Sequence, residues 1–234
     1  MDGPRTSRAQ ARAELTASIK DVAGRHLAEQ GAAGLSLRAV ARELGLASSA
    51  VYRYFASRDE LLTALIVDAY DSLGDAVEAA EGTVGRARHL DRWVAASRAV
   101  RGWAHEHPHR YALVYGTPVP GYEAPADTIA PATRATAVFA AVVADAAAAG
   151  ALAPPELDGA PLPAGVATDL EAVVDLFPGV PAPLVARGIV AWTAVFGLVT
   201  FELFGQYRNV IDHGDDFFDH AVAGLARAVG LASP

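Results

Sequence analysis

Between Ser36 and Arg58 the chain reads SLRAVARELGLASSAVYRYFASR, a stretch rich in hydroxyls, phenols and guanidinium groups. Ser36 and Arg38 open it, Ser48, Ser49, Tyr52, Arg53 and Tyr54 crowd its second half, and Arg58 closes it. Side chains of these types donate hydrogen bonds to phosphate oxygens and to base edges. Arginine in particular suits the paired acceptors of guanine in the major groove. The chemistry on offer is recognition of double-stranded DNA.

Other chemistries find less support. The chain has no cysteine, which removes disulfides, thiolate metal sites and cysteine nucleophiles. His105-Glu106-His107-Pro108-His109 resembles a metal cluster, but Pro108 breaks the helix that would align its histidines, and no HExxH spacing occurs. His213, Asp215, Asp216, Asp219 and His220 are explained as acids and neighbours at a helix start, where the macrodipole favours negative charge. No Walker loop, GxGxxG or GxSxG is present. Neither an enzyme nor a cofactor is expected.

The elements that must position the reading residues are short helices. Leu15, Ile19, Val22 and Leu27 recur at helical spacing, predicting a helix from about Ala9 to Gln30, closed by Gly31, with a loosely ordered basic arm (Arg5, Arg8, Arg12) before it. Ser36 can cap a second helix whose buried stripe is Leu37, Val40, Ala41 and Leu44. Gly45 supplies the tight turn, and a third helix runs from about Ser48 to Phe55, with Ala50, Val51 and Phe55 inward. Ser57 and Glu60 form a capping box that starts a fourth helix. The pattern is a helix-turn-helix.

Charge divides in the same place. The net charge is −8, yet residues 5–58 hold nine Lys or Arg against four Asp or Glu, while residues 61–234 hold ten against twenty. Positive charge sits where phosphate would be met. Hydrophobic residues make up 52% of the chain and charged residues 20%, which suits a well-buried globular protein. The N-terminal stretch lacks the apolar core of a signal peptide, so a cytoplasmic location is expected. The uncharged run from Gly188 to Phe201 falls short of the roughly 20 apolar residues a membrane span needs, so a buried helix and no membrane partner are expected.

The segment from Gly31 to Leu62 resembles the N-terminal domain of the TetR/AcrR family of bacterial transcriptional repressors. The likeness rests on Leu37-x-x-Val40-Ala41-x-x-Leu44-Gly45-Leu46, Ala50-Val51-Tyr52-x-Tyr54-Phe55 and Ser57-Arg58-x-x-Leu61. It departs at Ala47, where the family often has Ser or Thr, which moves the expected cap of the third helix to Ser48. The resemblance implies that Tyr52 and Arg58 contact phosphate, and that Arg38 reaches phosphate or a guanine edge. Ser48, Ser49, Arg53 and Tyr54 are left to read bases. The combination of Trp103, His107-Pro108, Tyr111 and Gly116-x-Pro118 is similar to the Trp-His-Gly subgroup of C-terminal domains.

The rest of the chain reads as helical. Helices are expected at 86–106, after Pro108, within 126–149, at 169–177, at 181–207 and at 215–229, with an irregular proline-rich loop over 150–168. The architecture expected is all-α: a helix-turn-helix domain (residues 9–58) followed by a larger helical domain (residues 59–234) for effector binding and dimerisation. The helix over 181–207 is apolar nearly all round with small residues along it, so it must be covered, and the last two helices are the expected homodimer interface. An effector cavity is expected among Trp93, Trp103, Tyr111, Tyr115, Phe139, Trp192 and Phe196, with His107 or Arg134 as polar contacts. A ligand-responsive repressor released from a palindromic operator by a small molecule fits these features. An activator or effector-independent regulator, and a helical small-molecule-binding or scaffold protein with an inert helix-turn-helix, remain open.

Overall fold

Alanine-rich sequence with apolar residues three and four apart has little choice but helix, and a computed structural model of the chain is, among its described residues, all-α apart from one isolated bridge between Leu152 and Leu231. It describes residues 4–153, 162–171, 173 and 177–232. In chain order the helices are α1 (Pro4–Gln30), α2 (Leu37–Glu43), α3 (Ser48–Val51), α4 (Arg58–Gly82), α5 (His89–Glu106), α6 (Pro108–Tyr115), α7 (Ile129–Ala148), α8 (Ala164–Glu171), α9 (Ala182–Leu203) and α10 (Gly214–Ala228).

The chain divides into two compact units. The first runs from the N-terminus to Tyr70 and includes His107–Pro131; the second takes Asp71–Glu106 and the chain from Ala132 onward. Helix α6 thus packs with α1 rather than with the helices that precede and follow it in sequence.

In the first unit the core gathers Ile19 and Val22 of α1, Leu37 and Val40 of α2, Val51 and Phe55 around α3, and Leu61 and Leu62 of α4. Each comes from the apolar stripe that the spacing marks. The turn between α2 and α3 depends on Gly45, whose φ of 68° lies in the left-handed region. That conformation lets the Leu46 amide reach back to the Ala41 carbonyl at 2.9 Å and satisfies the end of α2. The capping box forms in its first half: Ser57 Oγ accepts from the Glu60 amide at 3.1 Å, while the Glu60 carboxylate accepts from the amide of Ala56, one residue before the cap.

The second unit buries Trp93 and Val100 of α5, Val142 and Val143 of α7, Val195 and Val199 of α9, and Val222 of α10. Helices α5, α9 and α10 pack on one another and α8 packs on α9. Arg101 pins the first three: it donates to both carboxylate oxygens of Glu202 at 2.6 and 2.7 Å and meets Asp215 at 2.7 Å. By length and composition Ala126–Ala148 and Ala182–Leu203 could each cross a membrane. Here α7 and α9 supply core side chains to the second unit.

Several boundaries differ from the sequence expectation. Helix α1 begins at Pro4, so Arg5, Arg8 and Arg12 lie in the helix and not in a loose arm. A short helix, Ala164–Glu171, overlaps the end of the expected loop and the start of the helix expected over 169–177; residues 154–161, 172 and 174–176 lie outside the described residues. Helix α9 stops at Leu203 rather than Tyr207, because Gly205 (φ 76°) turns the chain and the Gln206 amide returns to the Phe201 carbonyl at 2.8 Å.

Candidate nucleic-acid interface and ligand cavity

Helix α2 is braced before it presents anything. Its Glu43 accepts from Arg25 and pairs with His26, both on α1 and both at 2.7 Å, and these hydrogen bonds hold the carboxyl below the ordinary glutamate value. Ser36 caps the other end, its Oγ accepting from the Ala39 amide at 3.4 Å. With α2 fixed, Gly45 sets where α3 starts. The cap position of α3 is Ala47 and not Ser48, and Ala47 has no side-chain oxygen to offer. Only four residues are helical, and a looser turn carries the chain through Tyr52, Arg53 and Tyr54.

Four of the nominated side chains stand exposed on these elements: Arg38, Ser49, Tyr52 and Arg53. Tyr52 is 43% exposed, unusual for a large aromatic ring beside a packed core. Ser36 and Ser48 are half-buried, the first occupied as a cap. Tyr54 is drawn inward against the core, with the Arg12 guanidinium 5.2 Å above its ring. Arg58 points partly inward as well: its Nη2 donates to the Ala32 carbonyl at 2.7 Å while Nη1 lies 3.4 Å from Asp59. It ties the start of α4 to the turn after α1. Spacing alone could not show that strut, because its ends are 26 residues apart.

The second unit contains an apolar cavity of about 120 Å³. Trp93, Phe139, Val143, Phe177 and Trp192 form most of its wall and Thr136 adds a hydroxyl. Trp93 and Phe139 meet edge to face with centroids 4.9 Å apart, and Trp192 leans on Phe196 at 5.4 Å. Among the described residues no charged side chain lines it.

Of the residues nominated for an effector, Trp93, Phe139 and Trp192 therefore come together, with buried Phe196 behind Trp192. The others lie elsewhere. Trp103 donates from Nε1 to Ser72 Oγ at 3.0 Å. Arg134 is clamped by Asp71, Asp75 and Glu78 of α4 at 2.6–3.0 Å and borders a separate polar cleft with Glu81, Arg86 and Arg92. Arg92, fully buried, is itself paired with Glu81 and Asp145. His107, Tyr111 and Tyr115 belong to the first unit, where Tyr115 contacts Tyr111 at 5.1 Å and Tyr70 at 6.1 Å. Burial, then the neighbouring phenols, pushes the Tyr115 hydroxyl above its ordinary range and keeps it protonated. Thr136, Val143 and Phe177 complete the cavity without having been singled out by type or spacing.

The family model described as "Bacterial regulatory proteins, tetR family" matches residues 19–65, which hold the helix-turn-helix. A second, "Tetracyclin repressor-like, C-terminal domain", matches residues 93–225, more than half of the chain. This chain belongs to the TetR family of bacterial transcriptional regulators. The HTH-type transcriptional regulators Rv1816 of Mycobacterium tuberculosis and Mb1846 of Mycobacterium bovis are each 45% identical over 203 residues, 86% of this chain and 85% of theirs. The solved regulatory protein SCO4313 is 35% identical with a TM-score of 0.73, over 95% of this chain and 98% of that one. A Rhodococcus protein of 24% identity shares the fold, with a TM-score of 0.70 over 92% of this chain and 95% of that one.

TetR-family proteins are transcription factors and not enzymes. They generally bind DNA as dimers and respond to small-molecule effectors. The all-α architecture, a helix-turn-helix bundle followed by a larger helical part, is that of the family.

Proposed function

We propose that this TetR-family protein is a repressor that binds a palindromic operator as a homodimer in the bacterial cytoplasm and leaves it when a small molecule occupies the helical domain. The observation that carries the reading is the exposure of Arg38, Ser49, Tyr52 and Arg53 on a braced α2–turn–α3 unit. In this reading residues 9–58 are the reader and residues 59–234 carry effector binding and dimerisation. Arg53, with Ser48, Ser49 and Tyr54 beside it, contacts base edges; Tyr52 and Arg38 contact the backbone. Arg58 acts first as the strut to Ala32 and, in this reading, also contacts phosphate.

The homodimer interface is assigned to α9 and α10. Val190, Phe201 and Phe204 of this region are 68%, 53% and 49% exposed, and they follow one another at helical spacing with the small residues Ala194 and Gly197 between them. A stripe of large apolar groups in water calls for a cover, and small residues allow a second helix to approach closely. Two reading heads on one operator also multiply the affinity of a single short helix. We also propose placement in the Trp-His-Gly subgroup, in which Gly116 ends α6 where a Cβ would lie 2.3 Å from the Ala112 carbonyl oxygen.

Selection on random duplex DNA tests the reading. Enrichment of a short palindrome, bound less tightly as salt rises, is the expected outcome. An absence of enrichment would leave a helical small-molecule-binding or scaffold protein as the better description.

A further inference from the structure

Helix α1 turns one stripe to the core of the first unit: Ile19 is fully buried there, and Leu15 packs against the cluster. Counted back at the same helical spacing, that stripe continues as Arg12 and Arg8. Both are exposed, as is every residue from 7 to 14, because this end of α1 has run past the packed core. One face of the helix thus buries apolar groups at one end and carries guanidinium groups at the other.

Arg12 does not extend freely into water. Its guanidinium lies over the Tyr54 ring, 5.2 Å from the centroid, and Tyr54 directly follows Arg53. A guanidinium over a ring uses its flat face and keeps its N–H edge for an acceptor. Among the described residues neither Arg8 nor Arg12 meets a carboxylate. Glu14, the acid nearest to them in sequence, stands on another side of α1 and accepts from Gln10 at 3.1 Å. Arginines of the second unit behave differently: Arg86, Arg88, Arg92, Arg98, Arg101 and Arg134 each meet a carboxylate. Two cations without an acid, one of them seated beside a reading residue, suit a polyanion.

Resting on the operator reading above, we infer that Arg8 and Arg12 grip phosphates of the DNA backbone beside the bases read from α3, with Tyr54 seating Arg12. Neither arginine stands on α2 or α3, so these contacts add affinity and orientation without base preference. The reader is thereby wider than its helix-turn-helix, and α1 serves it twice: as a brace through Arg25 and His26, and as a handhold at its other end.

The test follows the full-length protein on a selected operator duplex and on a scrambled duplex across a salt series. Arg8→Gln/Arg12→Gln should bind both duplexes about tenfold more weakly. Its plot of log affinity against log salt should be shallower by about one for each lost contact, about four in a dimer. Ethylation interference should lose phosphates in each half-site, while the motif recovered by selection stays the same. Arg8→Lys/Arg12→Lys keeps the charges and should restore most of the slope. Arg8→Gln alone leaves the Tyr54 contact in place and should show about half of the slope change, which guards against damage to α3. An unchanged slope and ethylation pattern would overturn the inference even if affinity fell, since the arginines would then be structural. A changed motif would overturn it as well, by making them base readers. The operator reading can fail separately. If the wild type prefers no palindrome but the variant loses salt slope, the phosphate grip stands and the operator falls. A selected palindrome with an unaltered slope does the reverse, and no DNA binding at all removes both.

Discussion

The reading face takes its exposed side chains from the single stretch Arg38–Arg53, whereas the cavity wall gathers Trp93, Phe139, Phe177 and Trp192 from segments far apart in the chain. The face is polar, solvated and built on two short helices held by a glycine turn. The cavity is apolar and built by the packing of long helices. Short-range spacing determines the first; only the folded chain determines the second. Mutations should therefore separate them, because a change in either region acts through different physics.

Phe139→Ala should have the largest effect. Removing a buried ring that packs edge to face on Trp93 should cost about 3–5 kcal/mol of stability, read by urea unfolding. At temperatures where the variant is folded, its selected operator motif should be unchanged; an altered motif would break the separation. Replacing both Val190 and Phe201 with Glu should come next. It should yield monomers in sedimentation and lower operator affinity on the order of 100-fold, while each monomer keeps its folded reader. Arg53→Ala should weaken operator binding about tenfold and relax preference at one position of each half-site. An unchanged motif from repeated selection would remove Arg53 from the base-reading set.

A smaller effect belongs to pH. Arg101, foremost, and then His105 hold the Glu202 carboxyl below the ordinary glutamate value. A lowered folded value means that this contribution is present above the unfolded value and is lost as pH falls through the folded one. Glu202→Gln should therefore make stability less sensitive to acid below about pH 5, as followed by thermal melts across that range. Smallest is a gain: Ala47→Ser supplies the missing cap oxygen of α3 and should add about 1 kcal/mol. If melting does not rise, the brevity of α3 has another cause.

The same contrast decides what could be read without coordinates. The stripes Leu37–Val40–Ala41 and Leu61–Leu62 bury as periodicity predicts, Gly45 turns, and Ser57–Glu60 caps, since each depends on neighbours within a few residues. Ala47 marked the start of α3 as irregular, but the cap did not pass to Ser48. Arg58 shows where local reading ends, because its partner Ala32 is reached only once α1, α2 and α4 are packed. Charge and position suggest Arg134 as a polar pocket contact; three carboxylates at helical spacing on α4 claim it instead. Nothing in the local sequence of Phe177 marks it as a cavity wall, for the residue gains that role from α7 and α9.

The tryptophans have a practical consequence. All three, Trp93, Trp103 and Trp192, lie in the second unit, while Tyr52, Tyr54, Tyr70, Tyr111, Tyr115 and Tyr122 lie in the first. Light absorbed only by indole therefore excites one half of the protein and leaves the DNA reader dark. The emission that follows is a built-in optical label for the helical half, free of any contribution from the operator-binding surface, and needs no added dye.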